Sequence, residues 1–189
     1  NKVGRYPLQK RYRPPSQQLT PPPMKPKVAV SSCLLGEKVR WNGEDKRDAL
    51  LLDDLNNLFE FVPFCPEVEV GMGVPREPVQ LIGNINSQKM KAVETGKDWT
   101  QAMVTFGEKK VLQLLEQGLC GFILKSRSPS CGQKGIPIYQ ENGEEEQTAG
   151  LFAQALMKHA PALPIIEEGD LRNKQAREKF INQVQSQLL

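Results

Sequence analysis

The chain has 189 residues, 39% of them hydrophobic and 25% charged, which is the composition of an ordinary soluble globular protein. Four cysteines and one histidine exclude a disulfide-rich scaffold and a histidine-rich metal site. No apolar run approaches the roughly 18 residues of a membrane-spanning helix, and no secretory signal is visible. We therefore expect a cytoplasmic protein with no membrane partner.

Proline and charge set the first residues apart from the rest. Residues 1–27 carry seven Lys/Arg, no Asp/Glu and seven of the 15 prolines. We interpret residues 1–26 as a disordered or appended segment, with Met24 as the natural initiator, and 27–189 as a single domain. Without those seven positive charges the net charge of +3 becomes −4 for 28–189, so nucleic acid is not an expected partner.

The body alternates between strand and helix patterns. Strands are predicted at Lys27–Ser32, Phe59–Cys65, Gly121–Lys125 and Leu163–Ile166, with a short apolar piece at Ile136–Tyr139 and a hairpin of Val79–Ile82 and Lys89–Glu94. Helices are predicted at Asp45–Leu58, from an Asp98 N-cap to near Gly118, at Glu144–Lys158 and at Leu171–Leu188. This order predicts an α/β fold, a Rossmann-like three-layer sandwich with a mainly parallel central sheet.

Three cysteines fall where predicted strands end. Cys33 lies at the end of the first strand, Cys65 ends the second, and Cys131 lies in the loop after the third. If these strands are parallel, the three thiols converge on one edge of the sheet. Cys120 precedes the third strand, at the opposite edge, and is interpreted as a small buried residue. Spacing alone leaves open a metal site and three unrelated buried cysteines, while a structural zinc site normally needs four Cys/His ligands.

The motif around each cysteine is more specific. Cys33 begins CLLG, with RWNG shortly after it; Cys65 begins CPEV, with GMG and PR after it; and Cys131 lies near the end of LKSRSPSCG. In order and spacing these motifs resemble the thiouracil desulfidase (TudS) family, formerly a domain of unknown function, from Val28 to Glu167. Asn42 departs from the family pattern, which has an acidic residue there in many relatives; a turn role before a glycine tolerates Asn.

The resemblance implies a [4Fe-4S] cluster on Cys33, Cys65 and Cys131. Three thiolates leave one of its irons without a protein ligand, open to a soft sulfur donor. It also implies non-redox removal of sulfur from 2-thiouracil-type bases, giving uracil and sulfide, with a small thiolated pyrimidine as the partner. Glu67 and Ser128 match positions proposed to act in that chemistry.

The residues themselves support a role for Glu67, because no histidine lies near the cysteines and a carboxylate is then the natural proton acceptor. Alternatively, Glu67 caps a loop and Ser128 is a turn hydroxyl. Arg76 and Lys125 are expected to balance charge or bind loop carbonyls, and Trp41 either stacks on a base or packs in its loop. Two other functions stay open: a cluster-bearing binding or electron-transfer protein, and a desulfidase acting on thiolated nucleosides or RNA. No feature of the sequence indicates an oligomeric state.

Overall fold

The computed structural model describes residues 24–188. Residues 1–23 of the predicted tail, which was expected to span 1–26, therefore lie outside the described residues. The strands are β1 (Lys27–Ser31), β2 (Glu60–Phe64), β3 (Val79–Ile82), β4 (Lys89–Ala92), β5 (Leu119–Leu124), β6 (Ile136–Tyr139), β7 (Glu145–Thr148) and β8 (Ile165–Glu167). The α-helices are α1 (Pro66–Glu69), α2 (Thr100–Glu116), α3 (Leu151–His159) and α4 (Lys174–Ser186). Shorter helical turns occupy Ser32–Leu35, Leu51–Leu55 and Asp170–Arg172. Within 24–188, no helix has the length and hydropathy needed to cross a membrane.

The strands form two sheets of four. The first has the order β2-β1-β5-β8, and its neighbours are all parallel. The second has the order β4-β3-β6-β7, in which β3 and β6 are parallel and the two outer pairs are antiparallel. The prediction of an α/β fold with a mainly parallel sheet is confirmed, and so is the hairpin of β3 and β4. The second sheet was not predicted, and the Rossmann-like three-layer sandwich stays a prediction.

The order of the parallel sheet determines where a ligand can bind. From β1 the chain moves outward to β2, then returns to β5 on the other side of β1 and continues to β8. The direction of the chain across the sheet therefore reverses between β1 and β5. In open α/β sheets, the crevice beyond the carboxyl ends of the strands at such a reversal is the usual binding site.

Both faces of the parallel sheet are buried, as expected for parallel strands. In β1, Ala29 belongs to a core that includes residues of α2 and α3, whereas Val28 and Val30 belong to a core with α4 and the turn at Leu51–Leu55. The alternation follows from the two-residue period of a strand. Cys120, the second residue of β5, is buried in the second core, which confirms its interpretation as a small buried residue.

The predicted helix at Asp45–Leu58 is wrong over its first four residues, whereas the structure is helical from residue 49 to residue 55. The amide N–H groups of Lys46 and Asp48 donate to the carbonyls of Cys33 and Leu34, at 2.8 and 2.9 Å. These bonds hold residues 45–48 in a non-helical form against the loop after β1. Helical structure begins only after Asp48, whose buried carboxylate accepts from the amide of Leu50 at 3.0 Å, as an N-cap does.

The predicted helix at Glu144–Lys158 is wrong in its first half. Residues Glu145–Thr148 form β7, which pairs antiparallel with β6. The turn between the two strands contains Asn142 and Gly143, and Gly143 has a φ of +83°. Asn-Gly between two strands is a strong hairpin signal, and it outweighs the helix preference of the glutamates. Helix α3 begins only at Leu151.

Candidate functional site

The three predicted cysteines line one cavity, of about 530 Å³, at the carboxyl edge of the parallel sheet. Cavities of this size accept small-molecule ligands. Glu67 and Ser128 line the same cavity, so the structure brings all five predicted site residues together. Among the described residues that line it, Glu67 is the only carboxylate, and the basic residues are Arg40, Lys46, Arg76, Lys125 and Arg127.

All three thiols are free, and their pKa values are raised. Burial raises the pKa of Cys33 to about 11, and the nearby Cys65 adds to this effect. Burial also raises the pKa of Cys65. The pKa of Cys131 lies well above the ordinary value because of burial first, and then because of negative charge on Cys65 and Glu67. The thiols thus sense one another's charge, and a metal that binds them must displace a proton from each.

The donor set fits an iron–sulfur cluster. Three thiolates are soft ligands, which favour iron–sulfur clusters, zinc and copper(I) over hard cations. Within residues 24–188, no three His, Cys, Asp or Glu side chains are grouped closely enough to hold a single metal ion. Three cysteines around one cavity are the number of thiolates that a cubane with one iron free of protein ligands would use.

Helix α3 holds the loop that carries Cys131. The amide of Leu151 donates to the carbonyl of Pro129 at 3.0 Å, and the amides of Phe152 and Ala153 both donate to the carbonyl of Ser130, at 3.0 and 3.1 Å. The first N–H groups of a helix have no partner within the helix, and here the cysteine loop satisfies them. This contact was not predicted, because the predicted helix begins at Glu144, seven residues before the first residue of α3, Leu151.

Two consecutive glutamates, the last residue of β8 and the residue after it, hold the ends of the same loop. Glu168 accepts from the amide of Ser126 at 2.7 Å and from the ammonium of Lys125. Burial opposes the charge of Glu168, but the hydrogen bonds from Lys125 and Ser126 outweigh it and lower the pKa of this carboxyl. Glu167 is itself buried and accepts from the amide of Gln133 at 2.7 Å. In the sequence, Glu167 and Glu168 are a pair of acidic residues directly after the predicted strand Leu163–Ile166, and their contacts with the loop were not predicted.

Glu67 lies between two of the cysteines and is tightly held. It is the second residue of α1, two residues after Cys65. Its Oε1 accepts from the hydroxyl of Ser130 at 2.7 Å, and Ser130 directly precedes Cys131. Its Oε2 accepts from Nε of Arg76 at 2.8 Å and forms an ion pair with Nη2 of the same guanidinium, at 2.7 Å. The carboxylate therefore has a fixed orientation in the cavity wall.

Ser128 stabilises the turn before Cys131. Its hydroxyl oxygen accepts from the amide of Cys131 at 3.1 Å and from that of Ser130 at 3.3 Å. This is the turn-hydroxyl role that the sequence analysis weighed against a catalytic one. The hydroxyl hydrogen takes no part in either bond, so it is available to donate to a group in the cavity.

Asn42 and Arg76 also behave as expected from the sequence. Asn42 Oδ1 accepts from the amide of Glu44 at 3.2 Å, and the next residue, Gly43, has a φ of +76°. Asn42 thus has the turn role that was predicted for it. Arg76 binds loop carbonyls, since its Nη1 donates to the carbonyls of Val39 and Gly73 at 2.9 Å each.

Comparison with known proteins gives consistent results. Residues 28–168 match the family model described as 2-thiouracil desulfurase. A solved structure, the [4Fe-4S]-dependent thiouracil desulfidase TudS, is 31% identical, with a TM-score of 0.64, covering 82% of this chain and 99% of that one. The uncharacterized protein YbbK of Bacillus subtilis (strain 168) is 30% identical over an alignment of 154 residues, which covers 77% of this chain and 98% of that protein.

The close packing of Gly150 on the cysteine loop yields a prediction about stability. A β-carbon at Gly150 would lie 2.5 Å from the carbonyl carbon and oxygen of Ser130, although its φ of −62° suits any residue. We expect Gly150→Ala to lower the free energy of unfolding by about 1–3 kcal/mol, the usual cost of overpacking. Chemical denaturation of the metal-free and the reconstituted protein measures this change.

Gly169→Ala is the matched control, because Gly169 has a φ of −64° and no heavy atom lies within 4 Å of its β-carbon position. It should leave the stability unchanged or slightly raised. Equal stabilities for the two variants would show that Gly150 does not fix the loop.

Proposed function

Because the chain belongs to the 2-thiouracil desulfurase family, we propose that it removes sulfur from 2-thiouracil-type bases, giving uracil and sulfide with no net redox change. Cys33, Cys65 and Cys131 hold a [4Fe-4S] cluster for this reaction, in the cytoplasm. The observation that carries the proposal is the convergence of three free thiols and one carboxylate on a single cavity.

The protein supplies the ligands and the shape of the site. When bound to three thiolates, a cubane provides an iron without a protein ligand, a Lewis acid that suits a thiocarbonyl sulfur. Trp41, Pro78 and Val79 provide apolar wall beside the cysteines. A flat pyrimidine can pack on such a wall while its polar edge faces Glu67 and Ser128.

Glu67 receives the proton of the attacking water. A carboxylate has about four lone-pair positions. The hydrogen bond from Ser130 occupies one of them on Oε1, while the hydrogen bond from Nε of Arg76 and the ion pair with Nη2 are both on Oε2. One position on Oε1 is left for water. Oxygen from water replaces sulfur at the ring carbon, and the sulfur departs as hydrogen sulfide, so atoms and electrons balance without an oxidant or a reductant. Ser128 orients the water or the ring through its hydroxyl hydrogen.

The position of Cys120 argues against an electron-transfer protein. A cluster that only transfers electrons is normally held by four thiolates. Cys120 belongs to the core on one face of the parallel sheet and is not among the described residues that line the cavity. The site thus offers three cysteines, which favours a cluster that binds a substrate.

Thiolated nucleosides or RNA are the second candidate substrates. Lys46 and Arg127 line the cavity and are exposed, so they can reach a phosphate outside it. Sulfide release by the reconstituted protein from 2-thiouracil, its nucleoside and a thiolated RNA distinguishes the two candidates. Release from the free base supports the first, and release from RNA alone supports the second.

Substitution of each cysteine tests the cluster. Cys33→Ala, Cys65→Ala and Cys131→Ala should each lower the iron bound after anaerobic reconstitution from about four per chain to a small fraction, and they should abolish sulfide release from 2-thiouracil. Cys120→Ala should retain iron and activity, because it lies in the core away from the cavity. Iron content, the absorbance spectrum and a sulfide assay provide the measurements. Tight stoichiometric zinc with no iron would contradict the proposal.

Substitution of Glu67 tests the proton acceptor. Glu67→Gln should keep the cluster and lower kcat by roughly 10²–10⁴-fold, the usual share of general acid–base catalysis. Ser128→Ala should cost less, because solvent can replace an orienting hydroxyl. Steady-state sulfide release, normalised to iron content, gives both values.

The matched control is Glu69→Gln, which removes a carboxylate from the same helix. Glu69 pairs with Lys110 at 2.7 Å and is not among the described residues of the cavity wall. It should leave kcat close to the wild-type value. Near-normal turnover by a Glu67→Gln protein with full iron would remove Glu67 from the mechanism.

A further inference from the structure

We propose that Arg76 is a positioning residue that holds two elements of the cavity wall in place: the carboxylate of Glu67 and the backbone segment 39–41, which carries Trp41. The kinetic consequences rest on the proposed function. The structural claim rests on the contacts of Arg76 alone, through its guanidinium and its amide.

The first part is the carboxylate. Nε of Arg76 donates to Oε2 of Glu67, and Nη2 lies 2.7 Å from the same oxygen in an ion pair, with the two side chains only 7% and 13% exposed. Charge-assisted contacts in so little solvent are strong. They hold the guanidinium on Oε2 and leave Oε1 to Ser130 and a ligand. Arg76 therefore determines which carboxylate oxygen of Glu67 is available to the attacking water.

The second part is the segment with Trp41. Nη1 of Arg76 donates to the carbonyl of Val39 at 2.9 Å, and the amide of Arg76 donates to the carbonyl of Trp41 at 2.8 Å. Trp41 is 45% exposed and lines the cavity, so few other contacts hold its ring in place. An indole at the mouth of a cavity offers a flat surface on which a pyrimidine can stack.

The chemistry of arginine explains why one residue can do both tasks. A guanidinium has five N–H donors in a rigid plane, and Arg76 makes three hydrogen bonds, to Glu67, Val39 and Gly73, besides the ion pair of Nη2 with Glu67. A lysine ammonium concentrates its donors on one atom and cannot reach the carboxylate and the two carbonyls together. Arg76→Lys therefore keeps the positive charge but removes the planar arrangement of N–H donors.

Kinetics separate the two tasks. We expect Glu67→Gln to lower kcat and Trp41→Ala to raise KM for 2-thiouracil. Arg76→Lys should do both, with about a 10–100-fold loss in kcat, the size of effect that misplacement of a catalytic group produces. In the Glu67→Gln background, Arg76→Lys should lower kcat no further but should still raise KM, because coupled residues are non-additive.

The matched control is Arg172→Lys, which alters another arginine–carboxylate pair. Arg172 pairs with the buried Asp48 and is not among the described residues that line the cavity. It should leave kcat and KM within about twofold of wild type, as expected for a pair that does not act on the site. All rates are normalised to iron content.

Fluorescence tests the structural claim without turnover. Trp41 and Trp99 are the two tryptophans of the chain, so Trp99→Phe leaves Trp41 as the reporter. In this full-length background, Arg76→Lys should raise the acrylamide quenching of Trp41, before and after reconstitution, because the segment loses its bond at Val39. Arg172→Lys should leave the quenching unchanged.

The outcomes distinguish the inference from the proposed function. Absence of sulfide release by the wild type would refute the function, while the quenching would still test the role of Arg76. An active wild type with Arg76→Lys kinetics and quenching like those of Arg172→Lys would overturn the inference. Arg76→Gln serves as a second variant if Arg76→Lys loses its cluster. If neither variant folds and binds iron, Arg76 is a stability residue and the inference is likewise overturned.

Discussion

Parallel pairing of β1 with β2 and with β5 is the constraint on which the site depends. Cys33, Cys65 and Cys131 are separated by 32 and 66 residues in the chain, so no local structure can bring them together. The register aligns Ser31 with Phe64, the last residues of β1 and β2, so the next residues of both strands leave the sheet side by side. Since β5 runs parallel on the other side of β1, its loop leaves the same edge. A change in the direction of one strand would separate its cysteine from the others.

Carboxylates then fix what the sheet brings together. Glu67, Glu167 and Glu168 each accept hydrogen bonds from the 125–133 loop, and α3 donates to its carbonyls. Buried polar groups that are fully paired make a local structure rigid. Rigidity matters for the proposed function, because three thiolates would have to meet a cluster of fixed geometry. The basic residues at the cavity wall would then offset the negative charge of the thiolates.

The amino-acid sequence was sufficient for the elements with strong local signals. The parallel strands have continuous apolar runs, and the cysteines lie at their ends or in the loop that follows, so their convergence could be predicted from the order of the residues alone. The non-helical form of residues 45–48 could not be predicted, because the carbonyls of Cys33 and Leu34 are distant in sequence and compete for their amides. The pairing of Glu67 with Arg76 and Ser130 was missed for the same reason, since Ser130 lies 63 residues away. Glutamates at 144–146 favoured a helix, but the Asn-Gly turn before them and a partner strand decided the outcome.

The central claim is that the cavity holds a cluster with one iron open to the thiocarbonyl sulfur. Mössbauer spectroscopy of anaerobically reconstituted, ⁵⁷Fe-labelled protein, with and without 2-thiouracil, tests it most directly. If one iron of the cubane is open to the sulfur, about a quarter of the iron signal should change its Mössbauer parameters when the base binds. A four-iron spectrum that the base leaves unchanged at saturating concentration would contradict the presence of an open iron.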